Sequence, residues 1–169
     1  LNRLQANVLH LRAGYFMENT LPQAVAIRMS GSALGPIRPD LKLPMIATCD
    51  IGKAAAEALL RREFRGRQIQ ELHGQRDLNY IEAAAIIGEA IGKPGLKYLQ
   101  APNDQIRAAM VKMKMSDNFV GLILEMAQAL NLGHVHALEP RTAGNTTATT
   151  FENFVATFFV PAYQQQAAA

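Results

Sequence analysis

The sequence predicts an α/β protein with a partly parallel sheet, and three observations carry that expectation. Strand-length apolar runs recur along the chain as "NVLHLR", "RQIQELHG" and "LKYLQA". The second and third flank a helix with clear punctuation, and a strand, a capped helix and a strand form a β-α-β unit whose strands are parallel. The chain has 169 residues, of which 49% are apolar and 18% charged, enough to bury one domain-sized core.

The elements follow in order. "LNRLQ" reads as the last turn of a helix whose beginning is absent, so the chain is expected to be a fragment. "NVLHLR" (Asn7 to Arg12) is a short, largely buried strand followed by Gly14. Its carboxyl end matters most, because ligands of open α/β sheets bind beyond the carboxyl ends of strands. An ordinary strand-to-helix turn is the plainer alternative. "FMENTLPQAVAIRMSG" looks helical but is interrupted by Pro22, and "SALGPIRPDLKLP", with three prolines, reads as a loop.

"MIATCDIGKAAAEALLRREFRG" predicts an extended piece, Asp50 as N-cap, an Ala-rich helix and Gly66 as its end. Ile51, Ala54, Ala55, Ala58 and Leu59 share one helical face suited to packing on a sheet. "RQIQELHG" alternates Ile69, Glu71 and His73 against Gln70 and Leu72. The next helix has Asn79 or Asp77 near its cap, Ile81, Ala84, Ala85, Gly88 and Ile91 on its apolar face, and Gly92 and Pro94 at its end.

Two amphipathic helices come next, one with Ile106, Ala109, Met110 and Met113 on a stripe, the other with Phe119, Leu122, Ile123, Met126 and Leu130. Core packing is the ordinary meaning of such stripes; a Met-lined cover over a flat ligand is the functional one. Near the end, Thr149 or Thr150 caps a helix carrying Phe151, Phe154, Val155 and Phe158, with Pro161 as its stop and "QQQAAA" as a loose tail.

Charge and cysteine usage narrow the function classes. Seventeen Lys and Arg against fourteen Asp and Glu give a net charge of only +3. The basic residues cluster only in "RREFRGRQ", a solvated helix flank, so no nucleic-acid partner is expected. No run approaches the roughly 20 apolar residues needed to cross a bilayer. The single cysteine, Cys49, is read as buried and inert, since the neighbouring Asp50 opposes thiolate formation. With no signal-peptide pattern, the expected location is cytoplasmic.

Catalytic motifs are sparse. His134 and His136 would share a strand face, yet a metal site needs a third donor, and His10 and His73 stand alone in their segments. None of Tyr15, Tyr80 and Tyr98 has a Lys four residues on, so no tyrosine-lysine pair is encoded. No Gly-x-Ser-x-Gly elbow occurs. The Gly-x-Gly-x-x-Gly and Walker loops, whose backbone amides cradle phosphates, are also missing, so this chain alone should bind a dinucleotide weakly.

Four stretches, "LHLRAGYFMEN", "LPMIATCDIGKAAAEALL", "ELHGQRDLNYIEAAAIIGEAIGKP" and "TTATTFENFVATFFVPAY", resemble in order the downstream half of the NmrA-like proteins, atypical members of the short-chain dehydrogenase/reductase superfamily. The resemblance implies a partial Rossmann-type fold lacking its amino-terminal glycine-loop half. Residues 1–20 would be the last part of the sheet, and 21–169 a mixed α/β and helical substrate subdomain. It implies NAD(P) as cofactor, without deciding between NAD and NADP. Carried over by position, Ala13, Gly14, Tyr15 and Phe16 would flank the nicotinamide, Asn19 would face the substrate, and Met110, Met113 and Phe119 would line the substrate cleft. Family members often have Pro where Ala13 stands, so the turn is freer here. Some members reduce quinones or azo compounds with NAD(P)H; others sense cofactor redox state and regulate protein partners. Reduction of a small planar apolar acceptor is the first expectation, and redox sensing without catalysis the second. A structural or oligomerising module is the third, because apolar faces left uncovered favour a homo-oligomer.

Overall fold

The computed structural model describes residues 5–165. The helix end read in Leu1 to Gln5 and the far end of the Gln-Ala tail fall outside them almost entirely. The element order is β1 (Val8–Ala13), a 3-10 turn (Met17–Thr20), α1 (Gln23–Ser30), β2 (Ala33–Gly35), β3 (Leu43–Pro44), α2 (Thr48–Arg61), β4 (Arg67–Leu72), β5 (Asp77–Leu78), α3 (Tyr80–Ala90), β6 (Tyr98–Gln100), α4 (Asn103–Lys112) and α5 (Asp117–Asn131). A final helix runs through α6 (Phe151–Phe154), a π-helical stretch (Val155–Phe159) and α7 (Val160–Gln165). The fold is mixed α/β, as expected.

Among the described residues the strands form three two-stranded ladders, β1–β4 and β2–β6 parallel, β3–β5 antiparallel. The expected β-α-β unit is corrected in one respect: β4 and β6 are not neighbours. Strand β6 pairs with β2, a three-residue strand inside the stretch read as loop and too short to show a period-2 pattern. Strand β1 is half-buried rather than largely buried along most of its length.

Local punctuation is close to the sequence reading. Asn79 caps α3 in a full capping box, its side chain accepting from Glu82 N while the Glu82 carboxylate accepts from Asn79 N, each at 2.9 Å. Gly92 follows with φ +71°, a backbone state that favours glycine. Helix α2 departs from expectation. It begins before Asp50, with Ala47 at the cap position, because the Glu18 carboxylate reaches over to accept from Thr48 N at 2.9 Å and Thr48 Oγ1 at 2.6 Å. Asp50 instead sits in the first turn, where a negative charge suits the helix dipole, and accepts from Thr149 N at 3.0 Å and Thr149 Oγ1 at 2.9 Å. Asp50→Ala should therefore release the 146–150 segment and cost about 2 kcal/mol, since hydrogen bonds to a charged group exceed neutral ones; urea unfolding monitored by circular dichroism measures it.

That early start places Cys49 on the outside of the first turn, so the cysteine is exposed rather than buried. The helix ends at Arg62, in the left-handed region at φ 53°, before Gly66 is reached. No residue of α2 is fully buried, and Leu59 and Leu60 are exposed.

The core gathers Ala24 and Ile27 of α1, Ala83, Ala84 and Ile87 of α3, and Phe151, Phe154, Val155 and Phe159 of the final helix. The π stretch changes which phenylalanine enters it. Counting α-helical steps from Phe154 selects Phe158, whereas the wider turn buries Phe159 completely and leaves Phe158 45% exposed. It also brings Pro161 into the helix without ending it, because the proline ring meets a backbone already displaced from the i→i−4 ladder. Arg28 of α1 lies over the Tyr163 ring, 4.2 Å from its centroid, holding α7 against α1. On α5 the buried face carries Val120, Leu124, Ala127 and Leu130, so only Leu130 of the predicted stripe is fully buried.

Candidate functional site

The carboxyl ends of β1 and β4 lie side by side: Ala13 pairs with Leu72, and the Gly14 amide donates to the Leu72 carbonyl at 2.9 Å. The chain then turns, and Ile46 N donates to Tyr15 O at 2.8 Å while Met17 N donates to Ile46 O at 2.9 Å. This brings the 44–46 segment across both strand ends. Two glycines admit it. A Cβ on Gly14 would lie 2.1 Å from the Pro44 carbonyl oxygen, and one on Gly74 would lie 1.6 Å from that of Met45.

Beyond these ends is a cavity of about 700 Å³, within the range of small-molecule sites. Ala13, Gly14, Tyr15, Phe16 and Asn19 border it, together with Leu43 and Pro44, Met126 and Leu130 of α5, and the loop from His134 to Leu138. Phe16 is 41% exposed, which leaves an aromatic surface free at the site.

The Tyr15 and Tyr80 hydroxyls are 2.9 Å apart, Tyr80 stacks on Tyr98 with ring centroids 4.3 Å apart, and Tyr98 Oη donates to Ile37 O at 2.9 Å. Burial raises the pKa of all three phenols. For Tyr15 the hydrogen bonds with Tyr80 and Asn19 oppose the rise. For Tyr80 the neighbouring Tyr15 adds to it. These groups hold their protons at neutral pH, so they pack and hydrogen-bond as neutral phenols.

The buried polar groups of the cavity are Glu71 and His73, 6% and 3% exposed. The Glu71 carboxylate accepts from Leu138 N at 3.0 Å and Glu139 N at 2.9 Å. The sequence did carry a signal for this pair, a charged residue and a histidine two apart at the end of a strand, hence on one face.

No family model matches the chain. It is 30% identical over 130 residues to an NAD(P)H azoreductase of Xenophilus azovorans, covering 77% of this chain and 41% of the azoreductase. It superposes with a TM-score of 0.75 and 21% identity on an NADPH-dependent quinone oxidoreductase of Escherichia coli complexed with NADPH, covering 92% of this chain and 54% of that one. NmrA, a negative transcriptional regulator solved in complex with NADP, gives a TM-score of 0.54 at 16% identity over 98% of this chain and 56% of its own. The chain carries the NmrA-like fold. It spans about half the length of those two structures and less than half of the azoreductase.

In this NmrA-like fold, Ala13, Gly14, Tyr15, Phe16 and Asn19 come together on one cavity, while Met110, Met113 and Phe119 are not among its lining residues. Met113 and Phe119 lie exposed on the α4–α5 pair; Met126 and Leu130 occupy the cavity side instead. His134 and His136 are in the lining loop and not on a strand, with His136 Nδ1 2.9 Å from Gly133 O. Among the described residues no three His, Cys, Asp or Glu side chains converge on a possible metal position. No helix among them is long and apolar enough to cross a membrane.

Proposed function

We propose that this chain contributes the ring-facing site of an NAD(P)H-dependent reductase acting on a planar apolar acceptor, a quinone or an azo compound. The observation that carries the proposal is the cavity at the joined carboxyl ends of two parallel strands, bordered by apolar and aromatic side chains with a buried polar pair among them. The relatives described as azoreductase and quinone oxidoreductase support the same acceptor class.

The residues present fit the ring end of a dinucleotide. Ala13 and Gly14 border the cavity at the strand end, and Phe16 offers an aromatic face there. Ala13, Gly14, Tyr15 and Phe16 would hold the nicotinamide side, Asn19 the acceptor side, and Met126 and Leu130 an adaptable apolar wall. No glycine-rich phosphate cradle occurs in the sequence, so the affinity of this chain alone is low. When bound, a reduced nicotinamide supplies two electrons as hydride. The chain's own residues orient the acceptor, keep water from it and fix Tyr15 by its bond to Tyr80.

The full-length protein should oxidise NAD(P)H in the presence of at least one member of a panel of quinones and azo dyes, followed by loss of absorbance at the reduced-cofactor band. Absence of turnover with the whole panel would overturn the reductase reading. A redox-sensing role is the second reading. It is favoured by the three phenols with pKa values raised by burial, none with a lysine four residues on, and by the likeness to a transcriptional regulator. A sensor must bind oxidised and reduced dinucleotide with different free energies, so equal affinities by calorimetry would remove it.

A further inference from the structure

We propose that residues 134–138 form a strap that closes over the bound acceptor, with Val135 and Leu138 as its acceptor contacts; this rests on the reductase reading above. Both residues border the cavity, yet Val135 is 52% exposed and Leu138 67%. Large apolar groups left open at the mouth of an apolar cavity are stabilised when an apolar body covers them. The planar acceptor is that body. Phe16 and Met126 border the same cavity and are also exposed, so one flat apolar molecule would cover surface on all four residues.

The opposite rim does not share this freedom. Leu43 and Leu130 are buried, and the backbone at Pro44 and Met45 lies close against Gly14 and Gly74. The strap, by contrast, has neither helix nor strand. It leaves α5 through Gly133, whose φ of +75° favours glycine, and the amides of His134 and Val135 both return to Ala129 O, at 2.9 and 3.3 Å. Beyond them, among the described residues, the amides of His136 and Ala137 donate to no protein acceptor. A short unbonded stretch between two fixed ends is what a closing segment needs.

Buried chemistry fixes the far end. Glu71 accepts from Leu138 N at 3.0 Å and Glu139 N at 2.9 Å, and Arg141 bonds Gly74 O and the Asp77 carboxylate. A carboxylate held by two amides is a strong anchor, so Glu71 sets where Leu138 stands at the cavity and acts on the acceptor through it. Glu71 is a positioning residue. Closure turns the 134–137 backbone about Gly133 and rotates the Leu138 side chain on a pinned main chain.

The test uses the full-length protein saturated with NADP, with 2-methyl-1,4-naphthoquinone as probe. Calorimetry should show Val135→Ser and Leu138→Ser each weakening quinone binding by about tenfold, the worth of covering most of one such side chain. Leu60→Ser, at an exposed leucine of α2 that does not border the cavity, should leave it unchanged. All three sites are exposed, so Tm should stay within about 2 °C of the wild type. Hydrogen exchange read by mass spectrometry should find the 134–138 amides fast in the free protein and about fivefold slower or more with quinone bound. Glu71→Gln should raise the KM for the quinone and leave that for the reduced dinucleotide. Its loss should not add to that of Leu138→Ser, because both act at one contact.

Wild-type quinone affinity in either strap variant, or unchanged exchange across 134–138, overturns the strap and leaves the reductase reading intact. A wild type that binds the quinone with the strap protected, yet oxidises NAD(P)H with no acceptor, overturns the reductase reading and leaves the strap as a ligand cover. No quinone binding by the wild type overturns both.

Discussion

Gly74→Ala is expected to lower stability by about 3 kcal/mol, or roughly 6–12 °C in Tm for a domain of this size. The added Cβ would meet Met45 O at 1.6 Å, Met45 C at 2.5 Å and Ile46 Cα at 3.1 Å. All three are backbone atoms, so no side-chain rotation relieves the clash. Met45 and Ile46 are fully buried, which leaves their backbone little room to retreat. The 44–46 segment must lift from the strand ends, opening the cavity at Pro44 and loosening the Tyr15–Ile46 pairing, so ligand affinity should fall together with Tm. Gly52→Ala is the internal comparison. Gly52 lies in the exposed interior of α2 with nothing within 4 Å of its added Cβ, so the same substitution should stabilise by about 0.5–1 kcal/mol through helix propensity. Thermal unfolding of the two variants should therefore move in opposite directions. A Tm for Gly74→Ala equal to the wild type would mean that the segment does not cross β4 at that distance.

The second large effect separates two adjacent phenylalanines. Phe159→Ala should cost about 3–5 kcal/mol, the usual loss for emptying a fully buried aromatic site, whereas Phe158→Ala should cost under about 1 kcal/mol. Phe159 is 0% exposed and belongs to the core, while Phe158 is 45% exposed and touches it through a tilted contact with Phe154, ring centroids 5.5 Å apart. Chemical denaturation of both variants measures the difference. A larger loss from Phe158 would restore the α-helical register through this segment and remove the π turn.

Much of the architecture was legible in local sequence. Strands β1 and β4, helix α3 with its Asn79–Glu82 capping box, and the Thr150 cap of α6 follow from short patterns whose physics closes within a few residues. The same holds for the turn residues Gly14 to Phe16 at the end of β1, which the structure places on the cavity. Other features resisted the reading for identifiable reasons. Strand β2 is too short to display alternation, α2 starts early because Glu18 supplies an acceptor from thirty positions away, and Cys49 is exposed as a consequence. Met110 and Met113 lie on the α4 stripe and Phe119 at the start of the α5 stripe, away from the cavity, whereas Met126 and Leu130, further along the α5 stripe, reach it.

Amino-acid order alone thus sufficed for elements whose stabilising contacts lie within one turn or one strand end: the Asn79 and Thr150 caps, the end of α3 at Gly92, and Glu71 and His73 on one face of their strand. Folding in three dimensions was needed to choose β1 rather than β6 as the partner of β4, to bury Phe159 in place of Phe158, and to close the loop at Leu138 onto Glu71, 67 positions away. Those outcomes depend on which distant surfaces compete for the same space and the same hydrogen bonds, and that competition leaves no trace in the spacing of neighbouring residues.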